Sequence, residues 1–151
     1  MEYTTLGKTG LKVSVAGLGC GGFSRIGQGA GKSEAESVTI VQQALDLGVN
    51  LIDTSAAYGT ESIVGQAIRG RDEVVISTKA TVGKGDGLQG PQKMVASLDQ
   101  SLRNLGVDCM DVFHLHGVAP ESYAYACDVL VPAMLREQEK GKFRFLGITE
   151  V

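Results

Sequence analysis

Four side chains that could act on a carbonyl group stand at the ends of predicted strands. Asp53 follows a short apolar run that predicts a buried strand, and Tyr58 comes five residues later. Lys79 ends a β-branched, strand-like run, and His116 ends a further one. In parallel α/β folds, functional groups gather where strands end and loops begin. The sequence therefore predicts that these four groups share one end of a sheet.

Together these groups could polarise a carbonyl and give it a proton. A phenol has a pKa near ~10 and is a poor acid at neutral pH, but a neighbouring ammonium lowers that pKa. A carboxylate held against the ammonium keeps it charged and oriented. A histidine can hydrogen-bond the substrate carbonyl and orient it. The set contains no reductant, so a hydride donor must be brought in as a cofactor.

Each residue has a plainer explanation when it is taken alone. A lysine at a strand end is most often solvated, and a histidine there is more often a hydrogen-bonded core residue than a catalyst. The functional interpretation depends on all four groups lying at the same end of successive strands.

The elements that would position these groups follow a regular order. A hairpin is predicted around Lys8–Gly10, and five strands are predicted at 15–18, 49–52, 74–79, 109–116 and 143–148. Helices lie between them, with Ser33 and Thr60 as predicted N-caps, Pro91 in a first turn, and a last helix over 131–140. Alternating β and α elements predict an α/β fold with parallel strands. A repeat of roughly 25 to 35 residues suits a (β/α) barrel or an open doubly wound sheet.

Two glycine-rich segments resemble phosphate-binding loops. Gly17–Gly22 fits the pattern G-x-G-x-x-G, but about ten loop residues separate it from the predicted helix start at Ser33. The segment 27–33 is one residue short of a P-loop and does not follow directly from a strand. We expect loops without phosphate at both places. A flavodoxin-like or P-loop nucleotide-binding domain is the alternative from another class.

Composition and charge narrow the class of protein. The chain has 151 residues, 43% hydrophobic and 21% charged, as in ordinary globular domains. A formal net charge of −3 favours neither nucleic acid nor an anionic membrane surface as a partner. Three cysteines without paired spacing argue against a disulfide framework and against a metal site. With no run of membrane-spanning length, we expect a soluble cytoplasmic protein.

The sequence resembles the aldo-keto reductase family along nearly its whole length. The matching segments are LKVSVAGLG at 11–19, DTSAAYG at 53–59, the strand ending in Lys79, DVFHLH at 111–116 and GKFRFLGIT at 141–149. This resemblance implies a single incomplete domain over residues 1–151. Its fold would be a partial (β/α)8 TIM barrel with five parallel strands, closed at the bottom by an N-terminal β-hairpin.

The resemblance also implies NADPH-dependent reduction of a small carbonyl substrate. By matching motif, Tyr58 would be the proton donor, and Asp53 and Lys79 would adjust the acidity of its phenol. His116 would orient the substrate. Further residues match regions that approach the nicotinamide, after the first and the fifth parallel strands. They are Gly21, Gly22, Phe23, Thr149 and Glu150.

The chain departs from the family pattern in two respects. A complete barrel has eight strands in about 250 residues, and the absent strands would, in the family, hold the phosphates of the cofactor. Thr149–Glu150 also stands where many relatives have Ser-Asn. We therefore expect a truncated or partial form whose NADPH binding alone is weak or absent. Activity would require completion by another chain or segment.

Unpaired strand edges are the physical problem of a partial barrel. Exposed edges and an open apolar interior favour pairing with another chain. We expect a homo-oligomer or a complementary barrel half as the partner. The alternative function is a non-enzymatic binding or interaction module that self-associates.

His114 lies one pleat from His116 and should face the same way. We predict a buried hydrogen bond between His114 and Ser77, which makes His114 structural instead of catalytic.

Overall fold

The computed structural model of the chain describes residues 1–150, in which two hairpin strands precede five strands that alternate with helices. The strands are β1 Tyr3–Thr5, β2 Lys12–Ser14, β3 Leu18–Gly19, β4 Leu51–Asp53, β5 Val75–Thr81, β6 Met110–Val118 and β7 Phe143–Glu150. The helices are α1 Glu34–Asp46, α2 Glu61–Ala67, α3 Pro91–Leu105, α4 Tyr123–Tyr125 and α5 Val131–Glu139.

The order of strands in the sheet decides between the two α/β architectures. β3 to β7 form one parallel sheet in the order β3-β4-β5-β6-β7, so every strand lies next to its neighbour in the chain. A doubly wound sheet reverses its strand order at a switch point, whereas a (β/α) barrel does not. The prediction of a partial barrel with five parallel strands is confirmed. A flavodoxin-like sheet is excluded.

The N-terminal hairpin covers the lower end of this sheet. β1 and β2 pair in antiparallel fashion, as predicted. Leu11 and Val13 pack against Val75 and Val112, which lie near the start of β5 and β6. Burying apolar side chains of this size stabilises the fold by about 1.5–3 kcal/mol each. The hairpin therefore closes the end opposite to the predicted site.

The first parallel strand was predicted at 15–18, and that placement is wrong by several residues. Val15 is 60% exposed, and its N–H donates to the Glu2 carbonyl at 3.0 Å, so it still belongs to the hairpin. The chain then turns, with the Ser14 hydroxyl donating to the Ala16 carbonyl. β3 begins only at Leu18 because the pairing of the hairpin occupies the residues before it.

Most helix ends follow the predicted capping chemistry. Ser33 and Glu36 form a complete capping box, and Pro91 occupies the first turn of α3. Thr60 stands at the N-cap of α2 but makes no capping bond. Its hydroxyl instead donates to the Cys20 carbonyl at 3.2 Å, so the predicted cap at Thr60 is wrong in its chemistry.

The predicted broken helical region after Pro120 has a backbone cause. A 3-10 turn at Pro120–Ser122 leads into α4, and a π-helical segment at Ala126–Leu130 joins α4 to α5. Pro132 has no N–H for the carbonyl four residues earlier, and the wider turn of a π-helix accommodates that loss. The last helix therefore starts at Val131, as predicted.

The strands that supply the site are longer than predicted. β5 ends at Thr81 and β6 at Val118, each two residues beyond the predicted ends at Lys79 and His116. Lys79 is level with His114, and His116 is level with Thr81, one pleat higher. No helix within residues 1–150 is both long and apolar enough to cross a membrane.

Gly65 provides a test of the packing between α2 and α3. A Cβ at this position would lie 2.6 Å from the carbonyl oxygens of Asn104 and Leu105. Alanine gains about 1 kcal/mol of helix propensity over glycine, whereas overpacking costs about 1–3 kcal/mol. Because backbone atoms cannot yield as a side chain can, we expect Gly65→Ala to lower the free energy of unfolding in urea.

The matched control is Ser62→Ala, which changes an exposed residue on the same helix. It should alter stability by no more than about 0.5 kcal/mol. Equal stability of Gly65→Ala and the wild type would show that the two helices are not packed as closely as described.

Candidate active site

A buried ion pair joins two of the predicted site residues. Lys79 is only 4% exposed, and its Nζ donates to Asp53 Oδ1 at 2.7 Å, to Asp53 Oδ2 at 2.6 Å and to the Thr54 carbonyl at 2.9 Å. An ammonium has three N–H donors, so all of them are used. The Asp53 side chain remains 44% exposed and faces the open end of the sheet. This geometry keeps a buried cation charged without isolating it from solvent.

The ammonium acts on Tyr58 through its charge. Lys79 Nζ lies 5.3 Å from the centroid of the Tyr58 ring, within the range of a cation–π contact. Since its donors are occupied by Asp53 and Thr54, the lysine has no N–H left for the phenol. The predicted contact between lysine and tyrosine is therefore present as a through-space interaction.

A short turn after β4 sets the position of Tyr58. Ala56–Tyr58 is a 3-10 turn whose N-cap, Ser55, accepts from the Ala57 N–H at 3.2 Å. The Ser55 hydroxyl donates to the Lys79 carbonyl at 3.0 Å, which ties this turn to β5. Gly59 follows at φ +71°, a left-handed conformation that only glycine adopts without strain.

Gly21 forms the other wall against the phenol ring. A Cβ on Gly21 would lie 2.5 Å from Tyr58 Cε2, closer than any real contact. The backbone after β3 therefore lies flat on the ring, and Tyr58 is held between this loop and its own turn.

His116 completes the cluster. Its ring meets Tyr58 edge to face, with the centroids 5.7 Å apart, and its Nδ1 lies 3.2 Å from Ser55 Oγ. Burial, and then the Lys79 charge, lower the pKa of His116 below its ordinary 6.5, while Asp53 acts in the opposite direction. The ring is therefore neutral at neutral pH and keeps one donor and one acceptor nitrogen.

Asp53, Tyr58, Lys79 and His116 thus lie together at the carboxyl end of β4 to β6, where the sequence placed them. Two supporting residues were missed. Thr54 accepts from Lys79, and Ser55 connects the tyrosine turn to β5 and to His116. Their signal was weak, because small hydroxyl residues after a strand are common in any turn.

The predicted bond between His114 and Ser77 is confirmed. His114 Nε2 lies 3.1 Å from Ser77 Oγ, and the Ser77 hydroxyl donates to Asp53 Oδ1 at 2.8 Å. The second of these contacts was not predicted, and it connects His114 to the site.

The residues that match the nicotinamide end are less closely gathered. Gly21 contacts Tyr58, but Phe23 is 95% exposed, so its ring does not pack against the four groups. Thr149 Oγ1 accepts from the Gly117 N–H at 2.9 Å, which leaves its own hydrogen free to donate. Glu150 is exposed beside it.

The end of β7 matches a nicotinamide only in part. The Thr149 hydroxyl keeps a donor that a carboxamide could accept, whereas Glu150, the next residue of the strand, lies on the opposite face and lines a cavity with Ile148 and Tyr123. The phosphates are not matched in the same way. The first turn of α1 is acidic and its Ser33 cap is already satisfied by Glu36, so it is not a phosphate cradle within residues 1–150.

A cavity of about 340 Å³ opens beside His116. It is lined by Thr81, Gly83, Lys84, His116, Gly117 and Ala119. A larger cavity of about 460 Å³ lies near the start of β5 and β6, away from the four groups, and its lining includes Arg69 and Cys109. The smaller cavity is the one that adjoins the four groups, since His116 is part of its wall.

The geometry agrees with comparisons to known proteins. The model of the aldo/keto reductase family matches residues 17–151. The chain belongs to this family. It is 32% identical over 157 residues to L-galactose dehydrogenase from Arabidopsis thaliana, covering 99% of this chain and 48% of that protein.

Solved aldo-keto reductases share the fold. The holo form of AKR11C1 from Bacillus halodurans superposes with a TM-score of 0.83 at 27% identity, over 100% of this chain and 51% of that one. The thermostable aldo-keto reductase Tm1743, solved with the inhibitor epalrestat, superposes with a TM-score of 0.80 at 26% identity. The match covers 98% of this chain and 53% of that one. This chain therefore spans about half the length of these relatives. Members of the family generally use NADP(H).

Gly21→Ala tests the contact between the loop after β3 and the phenol. The added methyl group cannot fit beside Tyr58, so the ring must move, and its edge contact with His116 must change. We expect a shift of the His116 ring signals in the proton NMR spectrum, because they lie within the ring current of Tyr58.

Gly19→Ala is the matched control, because a Cβ at Gly19 meets nothing within 4 Å. It should leave the His116 signals in place. Unchanged signals in Gly21→Ala would contradict the described position of Tyr58.

Proposed function

We propose that the chain supplies the proton-transfer half of an NADPH-dependent carbonyl reductase. One observation supports this most directly: a phenol, a buried ammonium, a carboxylate and a neutral imidazole meet at the carboxyl end of three parallel strands. Such a set suits the polarisation and protonation of a carbonyl oxygen.

Tyr58 is the proposed proton donor. As negative charge develops on the substrate oxygen, the phenol gives up its proton, and the Lys79 charge at 5.3 Å stabilises the phenolate that remains. Asp53 holds the ammonium. His116 beside the cavity would donate from Nε2 to the substrate oxygen, which requires the Ser55 hydroxyl to turn from the Lys79 carbonyl to Nδ1, since the neutral ring has a single N–H. NADPH, when bound, would supply the hydride to the carbonyl carbon.

The cofactor would be held here by its nicotinamide end. Thr149 would bind the carboxamide, with the loop of Gly21, Gly22 and Phe23 beside it, and Glu150 could join only if the end of β7 turned its side chain to the same face. The phosphate contacts would come from a completing segment or partner chain. This division accounts for our expectation that NADPH binds weakly to the chain alone.

Tyr58→Phe separates proton donation from cofactor binding. In the chain completed by the other barrel half, with 4-nitrobenzaldehyde as the probe, we expect the rate of NADPH oxidation to fall at least about a hundredfold, because general acid catalysis is lost. Binding of NADPH, followed by its fluorescence, should be nearly unchanged, since the phenol acts on the substrate oxygen.

Tyr3→Phe is the control, because Tyr3 lies in the hairpin and its hydroxyl bonds only the Gly48 carbonyl. It should leave the rate unchanged. Full activity in Tyr58→Phe would show that Tyr58 is not the proton donor. If the fluorescence of NADPH did not change up to millimolar concentration, an active enzyme would be contradicted.

A second proposal concerns association. We propose that β7 pairs with another chain, either a second copy or a complementary barrel half. Within residues 1–150, β7 is bonded along β6 only, and Ile148 on it is 46% exposed. An unpaired strand of eight residues favours pairing with a partner.

Light scattering tests this proposal. A self-associating chain should have a mass that is a multiple of 15.8 kDa, and Ile148→Lys should shift it toward the monomer, because edge charges block pairing. Thr39→Lys, a change on the exposed surface of α1, is the control. A monomer that captures no second copy at high concentration would contradict self-association.

A further inference from the structure

A line of polar side chains connects Asp53 to the strand beyond Lys79. Ser77 on β5 donates to Asp53 Oδ1 at 2.8 Å, and His114 on β6 lies 3.1 Å from the same hydroxyl. Ser77 is 6% exposed, so water does not compete freely for these bonds. The line enters the site from the side opposite to the open end of the sheet.

The direction of each hydrogen bond follows from counting protons. The Asp53 carboxylate that binds Lys79 is an acceptor only, so the single hydroxyl hydrogen of Ser77 points to Asp53. Ser77 must then accept from His114, which requires the proton on Nε2. The sequence of donors is therefore His114 to Ser77 to Asp53.

The other side of the imidazole agrees with this tautomer. His114 Nδ1 is buried and has no hydrogen-bond partner within residues 1–150. It lies against Gly147 of β7, where a Cβ would approach it to 2.5 Å. The backbone of Ile148 acts on the ring, but Nδ1 makes no hydrogen bond within the described residues, so the Ser77 bond is the contact that fixes the tautomer.

We propose that His114 and Ser77 are positioning residues that fix the Asp53 carboxylate for proton transfer. This inference rests on the proposed function of the site. Asp53 is 44% exposed, so without Ser77 its carboxylate could turn toward water and release Lys79. The Ser77 bond holds Oδ1 in place, and the ammonium stays beneath the Tyr58 ring.

The charges around His114 favour its neutral form. Asp53 on β4, Lys79 on β5 and His116 on β6 face it, and β7 contributes the uncharged Gly147. Burial, and then the Lys79 charge, lower the pKa of His114 from its ordinary 6.5, while the Asp53 charge and a backbone contact with Ile148 of β7 act in the opposite direction without reversing the shift. The ring should therefore stay neutral, and remain a donor through Nε2, as the pH falls through 6.5.

The first test is nitrogen NMR of the histidine rings, which is simple because the chain contains two histidines. In the wild type we expect His114 as the neutral Nε2–H tautomer, still unprotonated at pH 6.5. In Ser77→Ala the tautomer should become mixed, because its acceptor is gone. An Nδ1–H tautomer in the wild type would overturn the proposal.

The second test follows the Lys79 ammonium. Its protons should exchange slowly in the wild type, since all three are bonded, and about tenfold faster or more in Ser77→Ala. Ser77→Thr keeps the hydroxyl and should restore slow exchange. Ser101→Ala removes another buried serine, whose hydroxyl has no partner, and should have no effect. Slow exchange in Ser77→Ala would show that the residue only fills space.

Turnover provides a separate readout. Ser77→Ala and His114→Leu should lower kcat about tenfold or more with KM little changed, as expected when a catalytic group is misplaced. If the wild type completed by the other barrel half reduces no aldehyde, the proposed function fails, while the NMR tests on the chain alone still decide the positioning. If His114→Leu does not fold, the comparison of Ser77→Ala with Ser77→Thr still decides whether the Ser77 hydroxyl positions Asp53.

Discussion

The structure depends on keeping one ammonium charged inside a sheet. Removing a lysine from water costs several kcal/mol unless it is paired and its donors are bonded. For Lys79 this is achieved by the Asp53 carboxylate and the Thr54 carbonyl, both from the end of β4. β4 and β5 must therefore stay in register, with Asp53 opposite Ser77. Their functional groups occupy fixed positions as a result.

The surroundings of this ion pair are built to be rigid. Thr54 Oγ1 lies 2.9 Å from Thr60 Oγ1, and Thr60 donates to Cys20, so the loops after β3 and β4 are joined below Tyr58. Burial, and then the Asp53 charge, raise the pKa of the Cys20 thiol to about 12, so the thiol stays neutral. The Tyr58 side chain is half-buried among these groups.

This chain spans about half of the family fold, and the strands in that half explain which functional groups it brings together. The groups that would handle the proton lie on three adjacent strands, so five strands are enough to assemble them. The phosphates of a cofactor need other contacts, either positively charged side chains or the N-terminus of a helix. The start of α1 is acidic and does not offer such a contact. The cluster of four groups is thus a local product of β4 to β6, and it is complete in a chain that spans about half the length of its relatives.

The sequence by itself determined that Asp53, Lys79 and His116 lie on successive parallel strands near their carboxyl ends, because strand periodicity and βα alternation are local properties. It also predicted the His114–Ser77 contact from the alternation of side chains. Only the tertiary structure decided the start of β3, the true ends of β5 and β6, and the bond from Ser77 to Asp53. Each of these depends on register between strands and on competition for hydrogen bonds by residues distant in sequence, such as Asn50, which accepts from Ser14 N–H. Such pairings leave no local pattern to read.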